Sequence, residues 1–545
     1  MGGMKPEGEC RRGVKTALVS VYDKTGLADF VAALARSGVT VVASGGTGAF
    51  LKQAGLACRD VSEITGRNEL LGGLVKTLHP GIHAGILADG GRPEHRAELA
   101  ALGYSKIDMV VVNFYALPER PGPQDLSFID IGGPAMARAA SKNFASCVPV
   151  PDPSWYAAVA AELEAHGDVP LDLRWQLAAD TLARTGAYDA RVLALVGEGL
   201  GAKAFGSGAA EAPVGSGQVL LGLSKCLDLR YGENPHQQAG FFTSDGKGAF
   251  TVLKGSLSYN NILDLGSCVD QLAEFDGRAA VVVKHLGPCG VAQAGPDEAG
   301  ARALQGAYEC DPQSAFGGVV AVNFPFDAEC ADFLAKRFVE CIIAPEFEEA
   351  ALAVLVKKKS RLVASPLVLP RPAGGEATGT GPAATGATVR SAGTLLRSAL
   401  GGVLVQSRDA ALLAGDLKFV SGGPPPAAVL SDLIFAWKAA KHVKSNAIVF
   451  AKGGRTLGIG AGQPSRVDST KLAILKAAQA GHDLKGSVVA SDGFFPFPDS
   501  VELAAVAGAV AAIQPGGSIR DQEVIAAAEK IGIVMAMTSI RHFKH

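Results

Sequence analysis

The sequence has no hydrophobic run long enough to cross a membrane and no excess of charge of either sign. Its 51 Lys and Arg residues face 53 Asp and Glu residues, so the net charge is −2. A membrane-spanning helix needs about 20 mostly apolar residues, and nucleic-acid-binding domains usually carry a basic surface. We therefore expect no membrane span and no nucleic-acid partner, while a local basic pocket for a small anion stays open.

Cysteine is also scarce and irregularly spaced. The nine cysteines include no CxxC pair, and an odd, scattered set favours neither a disulfide framework nor a zinc ribbon. The opening residues MGGMKPEGECRRG lack the apolar core of a signal peptide. We therefore expect a cytoplasmic protein with reduced thiols.

The chain length and the alternation of apolar segments predict an α/β protein of more than one domain. Chains beyond about 250–300 residues divide into domains, and this chain has 545. Strands that alternate with helices predict a parallel sheet covered on both faces, with ligands at the carboxyl ends of its strands. The predicted elements are strands at 16–21, 39–44 and 106–115, helices at 25–38 and 49–55, and a turn, GGTG, at 45–48.

Two segments rich in small residues interrupt this pattern. Residues 196–218 consist largely of Gly, Ala and Ser and read as a linker. They separate a first domain, residues 1–195, from a second α/β region, residues 219–545. Residues 371–388 are of low complexity and predict a surface insertion. We find no internal sequence repeat.

The stretch VASGGTGAF predicts a strand, a turn of small residues and a helix start. Backbone N–H groups in such a turn form a cradle for phosphate, helped by the helix dipole. The stretch matches neither GxxxxGK[ST] nor GxGxxG. A phosphate site and an ordinary tight turn both remain open.

The stretch LVKTLHPGIHAGIL places His79 and His83 four residues apart. Two histidines at this spacing on a helix can bind zinc, but no glutamate lies between them, and Pro80 and Gly81 make a helix over 79–83 improbable. We therefore expect no zinc site, and a structural role for His83 is the alternative. Lys76 and the hydroxyl of Thr77 suit a phosphate or a carbonyl group better.

Asp130 and Lys142 lie in the blocks DIGG and RAASKNF, which follow the NFY of residues 113–115. In one pocket the two groups would suit proton transfer, and an ion pair between them is the alternative. Further along, AAVVVKHLGPCG predicts a buried strand that ends in Lys284 and His285, followed by a Gly-Pro-Cys-Gly turn. Asn446 precedes another apolar strand.

The stretch SDGFFPFPDS (491–500) is dense in aromatic residues without helical or strand periodicity. It predicts either a core cluster or a flat slot for a heterocycle. A deaminase zinc site needs PCxxC, and Cys289 is followed by Gly, Val and Ala. That metal site is therefore not expected.

Taken together, these blocks resemble the PurH family of bifunctional purine-biosynthesis enzymes over nearly the whole chain. The resemblance rests on SVYDKTGL, VASGGTGAFL, GGLVKTLHPGIHAGIL, DIGGPAMARAASKN, LRYGENPHQ, VKHLGPCGVA, SAFGGVVAVN, IIAPEFEEAAL, KSNAIVFAK, GIGAGQPSRVDS, SDGFFPFPDSVE and RHFKH, in this order. A dozen ordered blocks are far more specific than any one of them.

The resemblance implies an N-terminal Rossmann-like domain similar to methylglyoxal synthase. It implies that residues 219–545 form two cytidine-deaminase-like α/β subdomains without catalytic zinc. The implied reactions are formyl transfer from 10-formyltetrahydrofolate to the amine of AICAR, which gives FAICAR, and then dehydrative ring closure of FAICAR to IMP. The family is a homodimer whose transferase sites use residues of both subunits. Relatives also hold a monovalent cation such as K⁺, and the sequence leaves its presence here open.

The resemblance also implies roles for individual residues. For formyl transfer, His285 is the base, Lys284 assists at the developing charge and Asn446 orients the formyl group. For cyclisation, Lys142 is the main proton-transfer residue, with Lys76, Tyr115 and Asp130 around the reacting groups. The implied nucleotide-binding positions are Tyr22, Asp23, Lys24, Ser44, Gly45, Gly46, Thr47, Lys76, Thr77, Asn113, Asp130, Ile131 and Gly132. The implied AICAR positions are Arg230, Tyr231, Asn261, His285, Gly317, Glu340, Asn446, Arg466 and Arg541, and the folate positions are Val467, Phe494, Phe495, Pro496, Ser518 and Ile519.

At two positions the chain departs from the pattern of the family. Leu74 stands where many members have arginine, and Glu340 where some have aspartate. The Leu74 departure leaves open an active transferase with an impaired cyclohydrolase. A non-catalytic nucleotide sensor is a further alternative, which predicts loss of the catalytic residues, yet all of them are present. A nicotinamide dehydrogenase is disfavoured because no GxGxxG follows a strand.

Overall fold

The structure, a computed structural model, describes residues 13–67, 69–118, 126–199, 222–243, 246–369 and 394–545. The chain divides into two compact units, residues 1–224 and 225–545. Within the described ranges, no helix combines the length and apolarity that a membrane span requires. The predicted insertion at 371–388 and the predicted linker from residue 200 onwards lie outside the described residues.

The first unit alternates strands and helices, which confirms the predicted α/β fold. Its described strands form one parallel sheet in the order β3-β2-β1-β4-β5. The strands are β1 (Thr16–Ser20), β2 (Thr40–Ala43), β3 (Arg59–Asp60), β4 (Met109–Val112) and β5 (Val148–Val150). The helices are α1 (Leu27–Arg36), α2 (Gly45–Gln53), α3 (Ser62–Thr65), α4 (Pro80–Leu87), α5 (Pro93–Ala101), α6 (Gly132–Lys142), α7 (Tyr156–His166) and α8 (Leu171–Gly199), with 3-10 turns at Leu71–Gly73 and Pro153–Trp155.

Alternating side chains of the central strand pack into cores on the two faces of this sheet. In β1, Ala17 and Val19 belong to one hydrophobic cluster and Leu18 to the other, and all three are fully buried. This is the period of two that a strand buried on both faces produces. Strands β2 and β3 are added on one side of β1 and strands β4 and β5 on the other, so the strand order reverses between β1 and β4. A crevice opens at the carboxyl ends of the strands at such a point.

Three local predictions for the first unit are wrong. The GGTG segment is the first turn of α2 rather than a turn before it, since α2 begins at Gly45. A helix does form after His79: Pro80 takes its first position, where the missing N–H does no harm, and His79 Nδ1 accepts the N–H of Gly81 at 3.1 Å. Helix α8 extends to Gly199 and therefore includes the start of the predicted linker.

The second unit repeats one arrangement of strands and helices. Its further strands are β6 (Ser224–Asp228), β7 (Gly240–Thr243), β8 (Thr251–Lys254), β9 (Ala279–Lys284), β10 (Gly287–Gln293), β11 (Val319–Val322), β12 (Cys341–Ala344), β13 (Arg361–Ala364), β14 (Thr394–Ala399), β15 (Gly402–Ser407), β16 (Lys418–Ser421), β17 (Ile448–Lys452), β18 (Arg455–Gly460), β19 (Val488–Ser491), β20 (Ala511–Gln514) and β21 (Val534–Met537). Its helices are α9 (Tyr259–Leu272), α10 (Gly300–Glu309), α11 (Pro312–Ala315), α12 (Ala328–Ala335), α13 (Glu349–Leu355), α14 (Ala427–Ala440), α15 (Arg466–Gln479), α16 (Asp499–Ala507) and α17 (Asp521–Ile531), with a 3-10 turn at Pro366–Val368.

Among the described strands, twelve form one mixed sheet in the order β16-β21-β20-β19-β17-β18-β10-β9-β11-β12-β13-β8. The order reads the same from both ends: β8 to β13 form one half and β16 to β21 the other, and the halves meet where β10 pairs antiparallel with β18. Each half begins with one strand, β8 or β16, and a helix, α9 or α14. A hairpin follows, β9–β10 or β17–β18, and then three further strands, β11 to β13 or β19 to β21. The second unit is therefore a structural duplication, although the sequence shows no internal repeat.

The residues that follow Lys284 also differ from the prediction. Gly287, Pro288 and Cys289 belong to β10 rather than to a turn, and the chain reverses at His285 and Leu286 instead. Both of these residues have positive φ angles, 54° and 69°. The hairpin therefore exposes His285 at the edge of the sheet.

Candidate functional site

In the first unit, the carboxyl ends of β1, β2 and β4 gather polar groups at one edge of the sheet. Ser20 and Ser44 hydroxyls lie 3.1 Å apart. The side chain of Asn113 accepts the N–H groups of Tyr22 and Asp23 at 2.6 and 2.9 Å and donates to the carbonyl of Asp23 at 2.9 Å. Three loops that are distant in sequence are thus joined around the start of α2.

The loop after β1 is held in a defined shape. Hydrogen bonds from the backbone and hydroxyl of Thr25 lower the pKa of Asp23. Lys24 Nζ donates to the carbonyl of Tyr22 at 3.2 Å, and the hydroxyl of Thr47 accepts the N–H of Val21 at 3.1 Å. The loop therefore presents an exposed Tyr22, with 53% of its surface accessible, beside the start of α2.

The N-terminus of α2 is suited to an anion. In the described structure no side chain caps this helix, because Ser44 is engaged with Ser20 instead. Lys76 lies close by: a Cβ on Gly45 would come within 3.0 Å of Lys76 Nζ, and the φ of Gly45, 42°, favours glycine. Lys76 is paired with Glu69 at 2.8 Å, and both side chains remain partly accessible. Backbone N–H groups and a lysine at a helix N-terminus stabilise negative charge.

A second helix, α6, begins at the same edge and carries Asp130 just before it. Burial raises the pKa of Asp130, while the N–H groups of Gly133 and Tyr115 oppose the rise. The hydroxyl of Tyr188 on α8 accepts the backbone N–H of Asp130 at 2.8 Å. A carboxyl whose proton is held more tightly than usual is suited to acid–base work near neutral pH.

The remaining predicted positions of this edge surround Asp130. Tyr115 is 52% exposed and packs edge-on against Tyr22, with ring centroids 5.9 Å apart. Gly132 lies against the buried hydroxyl of Thr77, 2.9 Å from where its Cβ would be. Ile131 is exposed. Apart from Lys142, the predicted nucleotide and cyclisation residues therefore share this edge.

Lys142 does not join them. It is the last residue of α6, and an 11-residue helix places it about 15 Å from the end that carries Asp130. Its neighbour Asn143 donates to the carbonyls of Ile86 and Ala88 at 2.7 and 3.1 Å, at the end of α4. Neither a shared pocket nor an ion pair of Asp130 with Lys142 is present within this chain, and the role implied for Lys142 stays a prediction.

In the second unit, the first half of the sheet collects the predicted catalytic pair at one edge. Lys284 Nζ donates to the carbonyl of Phe316 at 2.8 Å, and His285 is exposed at the hairpin turn. Positive φ angles cost a residue with a Cβ about 1–2 kcal/mol. The side chain of Asp264 on α9 accepts the N–H groups of His285 and Leu286, the latter at 2.7 Å, and burial raises the pKa of this carboxyl.

The AICAR positions of the same half form a charged cluster around Glu340. Its carboxylate lies 3.0 Å from Arg361, 3.4 Å from the amide nitrogen of Asn261 and 3.9 Å from Arg230. The guanidinium of Arg230 also stacks over the ring of Tyr231, 5.1 Å from its centroid. Two arginines that share one carboxylate leave an unbalanced positive charge, which suits a phosphate or carboxylate ligand.

Gly317 lies between this cluster and Lys284. It has a φ of 74° and donates its N–H to the carbonyl of Phe338 at 2.9 Å. The preceding residue, Phe316, is 59% exposed. An accessible aromatic ring therefore borders the edge that carries Lys284.

The second half contributes Asn446 and Arg466, which contact each other. Arg466 Nη2 donates to Asn446 Oδ1 at 2.8 Å, and its guanidinium is paired with the fully buried Asp492. The amide nitrogen of Asn446 donates to the carbonyls of Gln463 and Pro464 at 2.9 and 3.1 Å. The Asn446 side chain is thus satisfied within the chain, so it would have to exchange partners to orient a formyl group.

The aromatic stretch after Asp492 is divided between the hydrophobic core and the surface. Phe495 is fully buried in a hydrophobic core and cannot contact a ligand, because its side chain is enclosed by that core. Phe494 and Phe497 are 39% and 48% exposed. The predicted folate residues that do reach the surface are Phe494, Pro496, Val467, Ser518 and Ile519, and they lie in the loops and helix start of the same edge.

The closing segment lies at this edge as well. Arg541 is exposed and stacks over Phe543, 4.6 Å from the ring centroid. His542 is buried, donates its backbone N–H to the carbonyl of Asp492 at 3.0 Å and contacts Asp409 through Nδ1 at 2.6 Å. The position of Arg541 is therefore determined by its buried neighbour.

The two halves present their predicted residues at the same edge of the sheet but not at the same point. Counting the antiparallel pairings from β9 through β10 and β18 to β17 puts His285 and Asn446 on one edge. Three strand spacings of about 4.8 Å separate β9 from β17, or about 14 Å. Within one chain the two groups of residues therefore do not meet.

Five supporting residues escaped the sequence analysis: Glu69, Tyr188, Asp264, Arg361 and Asp492. Four of them carry no local signal, since their partners are 7 to more than 50 residues away in the chain. Asp492 alone could have been suspected, because a carboxylate directly follows the apolar strand VVAS. Among the described residues, no group of three or more His, Cys, Asp or Glu could hold a metal ion.

Comparisons with known proteins cover both units. The model of the family described as AICARFT/IMPCHase bienzyme matches residues 140–476, and that of the MGS-like domain matches residues 26–131. Two relatives, from Brucella abortus (strain S19) and Mesorhizobium japonicum, are each described as bifunctional purine biosynthesis protein PurH. Each is 45% identical, and each alignment covers 98% of this chain and 97% of the relative. A solved structure described as ForH is 35% identical, covering 34% of this chain and 98% of its own, with a TM-score of 0.32.

Proposed function

The chain belongs to the AICARFT/IMPCHase bienzyme family, whose members include the PurH proteins, and from this premise we propose how its two units divide the chemistry. The enzyme catalyses the last two steps of purine biosynthesis, formyl transfer to AICAR and closure of FAICAR to IMP. The observations that carry the proposal are the 45% identity over 98% of the chain to relatives described as bifunctional purine biosynthesis protein PurH and the match to the AICARFT/IMPCHase bienzyme model. That match favours two working activities over an impaired cyclohydrolase or a sensor.

The first unit is the cyclohydrolase. The nucleotide phosphate binds at the N-terminus of α2 near Lys24 and Thr47, where backbone N–H groups are directed to the crevice. The carboxamide nitrogen of FAICAR attacks the formyl carbon. The formyl oxygen then takes up protons, its bond to that carbon breaks, and it leaves as water. Asp130 exchanges protons with the reacting groups, and Lys76 stabilises the oxyanion. The raised pKa of Asp130 supports its role.

Lys142 has no place in this scheme within one chain, because α6 separates it from Asp130. Its implied role would require a contact that this chain does not make by itself. The variants Lys76→Ala and Lys142→Ala separate the two assignments. Loss of cyclisation in the Lys76 variant alone supports the scheme, and loss in the Lys142 variant alone contradicts it.

The second unit is the formyltransferase. The amine of AICAR attacks the formyl carbon of 10-formyltetrahydrofolate, the bond from that carbon to N10 breaks, and His285 accepts the proton of the amine. Lys284 stabilises the developing oxyanion. Arg230 and Arg361 hold the AICAR side of the site, and Phe494 borders the folate. The shared carboxylate of Glu340 supports this placement because it orients both arginines.

The transferase site is shared between two copies of the chain. The separation of about 14 Å between β9 and β17 supports this, because His285 and Asn446 of one chain cannot contact one AICAR amine. A homodimer in which each copy supplies one half would bring them together. Sedimentation of the purified protein checks it: a monomer that retains transfer at all dilutions contradicts the shared site.

The thiols fit a reducing compartment such as the cytoplasm. The cysteines among the described residues are all free, and most are buried. Burial raises the pKa of Cys147 and Cys310 to about 12, so these thiols resist oxidation.

A product assay tests both activities. Purified protein is incubated with AICAR and 10-formyltetrahydrofolate, and AICAR, FAICAR and IMP are separated by chromatography. IMP supports the proposal, while FAICAR without IMP points to a crippled first unit with Leu74→Arg as the first reversion. The variant His285→Ala should lose formyl transfer yet still cyclise supplied FAICAR, and normal transfer would remove His285 from its role.

A further inference from the structure

The turn that exposes His285 has a conformation that its residues do not favour. Strands β9 and β10 pair Lys284 with Gly287, so only His285 and Leu286 connect them. Both residues have positive φ angles, 54° and 69°. Two-residue hairpins of this kind usually contain Asn or Gly, because a Cβ disfavours positive φ. Something outside the turn must therefore hold it.

Asp264 contacts this turn from α9. Its carboxylate accepts the N–H groups of both turn residues, the one from Leu286 at 2.7 Å. Ser267, one helical turn further along α9, donates its hydroxyl to the carbonyl of Leu286 at 2.8 Å. Side chains of one helix thus bind both N–H groups and one carbonyl of the turn.

The duplicated half contains the same arrangement without the histidine. There β17 and β18 are joined by Gly453 and Gly454, with φ angles of 61° and 67°. Asp432 on α14 accepts the two glycine N–H groups, each at 2.9 Å. Asp432 is the sixth residue of α14, as Asp264 is the sixth of α9.

The correspondence extends to the lysine before each turn. Lys284 Nζ donates to the carbonyl of Phe316 at 2.8 Å, and Lys452 Nζ to that of Lys485, also at 2.8 Å. The two turns thus share one backbone construction. They differ in that one consists of glycines and the other of a histidine and a leucine.

We propose that Asp264 is a positioning residue for formyl transfer, which holds the His285–Leu286 turn in its left-handed conformation and so directs the His285 imidazole to the substrate amine. This rests on the proposed function of His285. Asp432 makes the same contacts where glycines need no such restraint, so it has no share in catalysis. The chain therefore contains its own control for the role of Asp264.

Amide hydrogen exchange tests the hydrogen bonds between Asp264 and the turn independently of activity. In the variant Asp264→Asn, the amide nitrogen of asparagine faces one of the two N–H donors and cannot accept a hydrogen bond from it. Amide exchange at residues 285 and 286 should therefore accelerate. Exchange at 453 and 454 should not change. Asp432→Asn should give the reverse pattern. Unchanged exchange at 285 and 286 in the Asp264 variant overturns the proposal.

Kinetics test the consequence for catalysis. A small misplacement of a catalytic group can lower the rate about 100-fold, so Asp264→Asn should lower kcat for formyl transfer by about 10- to 100-fold with little change in KM for AICAR. Asp432→Asn should transfer normally, and both variants should cyclise supplied FAICAR. Adding Leu286→Gly to Asp264→Asn should restore part of kcat, since glycine adopts positive φ freely.

Each outcome decides between a positioning role and a merely structural one. Equal losses in the two Asn variants, or no gain from Leu286→Gly, would make Asp264 a general stabiliser and overturn the proposal. If Asp264→Asn fails to fold, Ser267→Ala removes a single hydrogen bond to the same turn and should lower kcat in the same direction by a smaller factor. If the wild-type protein forms no FAICAR, the proposed function fails. If the wild-type protein and Asp264→Asn both transfer the formyl group normally, the proposed function stands and only the inference about Asp264 is refuted.

Discussion

Replacing Asp492 by asparagine removes the one negative charge that faces the buried guanidinium of Arg466 in the described structure. The side chain of Asp492 is fully buried, and that of Arg466 is 6% exposed. Asp492 also accepts the N–H of Ala447 at 3.1 Å. In the other half of the sheet, Asn323 stands at the corresponding place after β11 and accepts the N–H of Ala279 at 2.7 Å. A neutral amide can therefore serve the backbone, and Asp492→Asn isolates the loss of the charge.

The magnitude follows from what remains around Arg466. Removing one partner of a buried ion pair costs about 3–5 kcal/mol, because the other charge stays buried without compensation. The guanidinium keeps hydrogen bonds to Ser491 Oγ and Asn446 Oδ1, both at 2.8 Å, so we expect the lower end, about 3 kcal/mol. With a urea m-value of about 3 kcal/mol/M, the midpoint of unfolding of the second unit should fall by about 1 M.

Fluorescence can follow the second unit alone. The chain has three tryptophans, and Trp437, in the second unit, is fully buried. Replacing Trp155 and Trp175 by phenylalanine leaves Trp437 as the reporter of urea unfolding. In this background Asp492→Asn should also lose formyl transfer, because Arg466 and Asn446 lose their fixed geometry, whereas cyclisation of FAICAR should persist.

The double variant Arg466→Met with Asp492→Asn is the control. It removes both charges, so it should recover part of the stability that the single variant loses, but it should not recover transfer. An Asp492→Asn protein with an unchanged urea midpoint and unchanged transfer would refute the reasoning, since Arg466 would then need no carboxylate.

Three further variants and conditions probe the rest of the protein. Lys76→Ala should slow ring closure and accumulate FAICAR, measured by chromatography, because the oxyanion that develops during cyclisation loses the charge that stabilises it; an unchanged rate of IMP formation would exclude that role. Burial alone would raise the pKa of Glu274, but the hydrogen bond from His442 and the charge of Lys441 lower it to about 2. Its stabilisation is therefore full above the unfolded pKa of about 4.5 and lost as the pH falls towards 2, so urea midpoints of Glu274→Gln should depend less on pH in this window. Gly132→Ala should impair cyclisation but not transfer, because its Cβ would lie 2.9 Å from a buried hydroxyl; a normal rate of cyclisation would show that α6 can shift.

The sequence predicted the α/β class and the strands that carry the sites because these depend on local patterns. Apolar runs such as the one in β9 must be buried on both faces of a sheet, whatever packs against them. The same local reasoning failed at Pro80, because a proline that breaks a helix interior is favourable at its first position. It also failed at His285 and Leu286, because positive φ angles in such residues need support from elsewhere in the fold.

The candidate sites were predicted only as separate blocks. Lys284, His285 and Asp130 could be chosen as reacting groups because their side chains exchange protons or carry charge. The order of the sequence blocks identified the family. The sequence did not predict which residues lie close together in the fold. Lys142 and Asp130 belong to one sequence block, yet they lie at opposite ends of α6.

By itself, the sequence determined the class of fold, the reacting groups and the family, because side-chain chemistry and periodicity are properties of short segments. Only the tertiary structure decided the duplicated sheet, the burial of Phe495 and the contacts of Asp264 and Asp492. These depend on pairings between segments that are far apart in the chain, and a carboxylate acquires its role only from the N–H groups or guanidinium that the fold places against it.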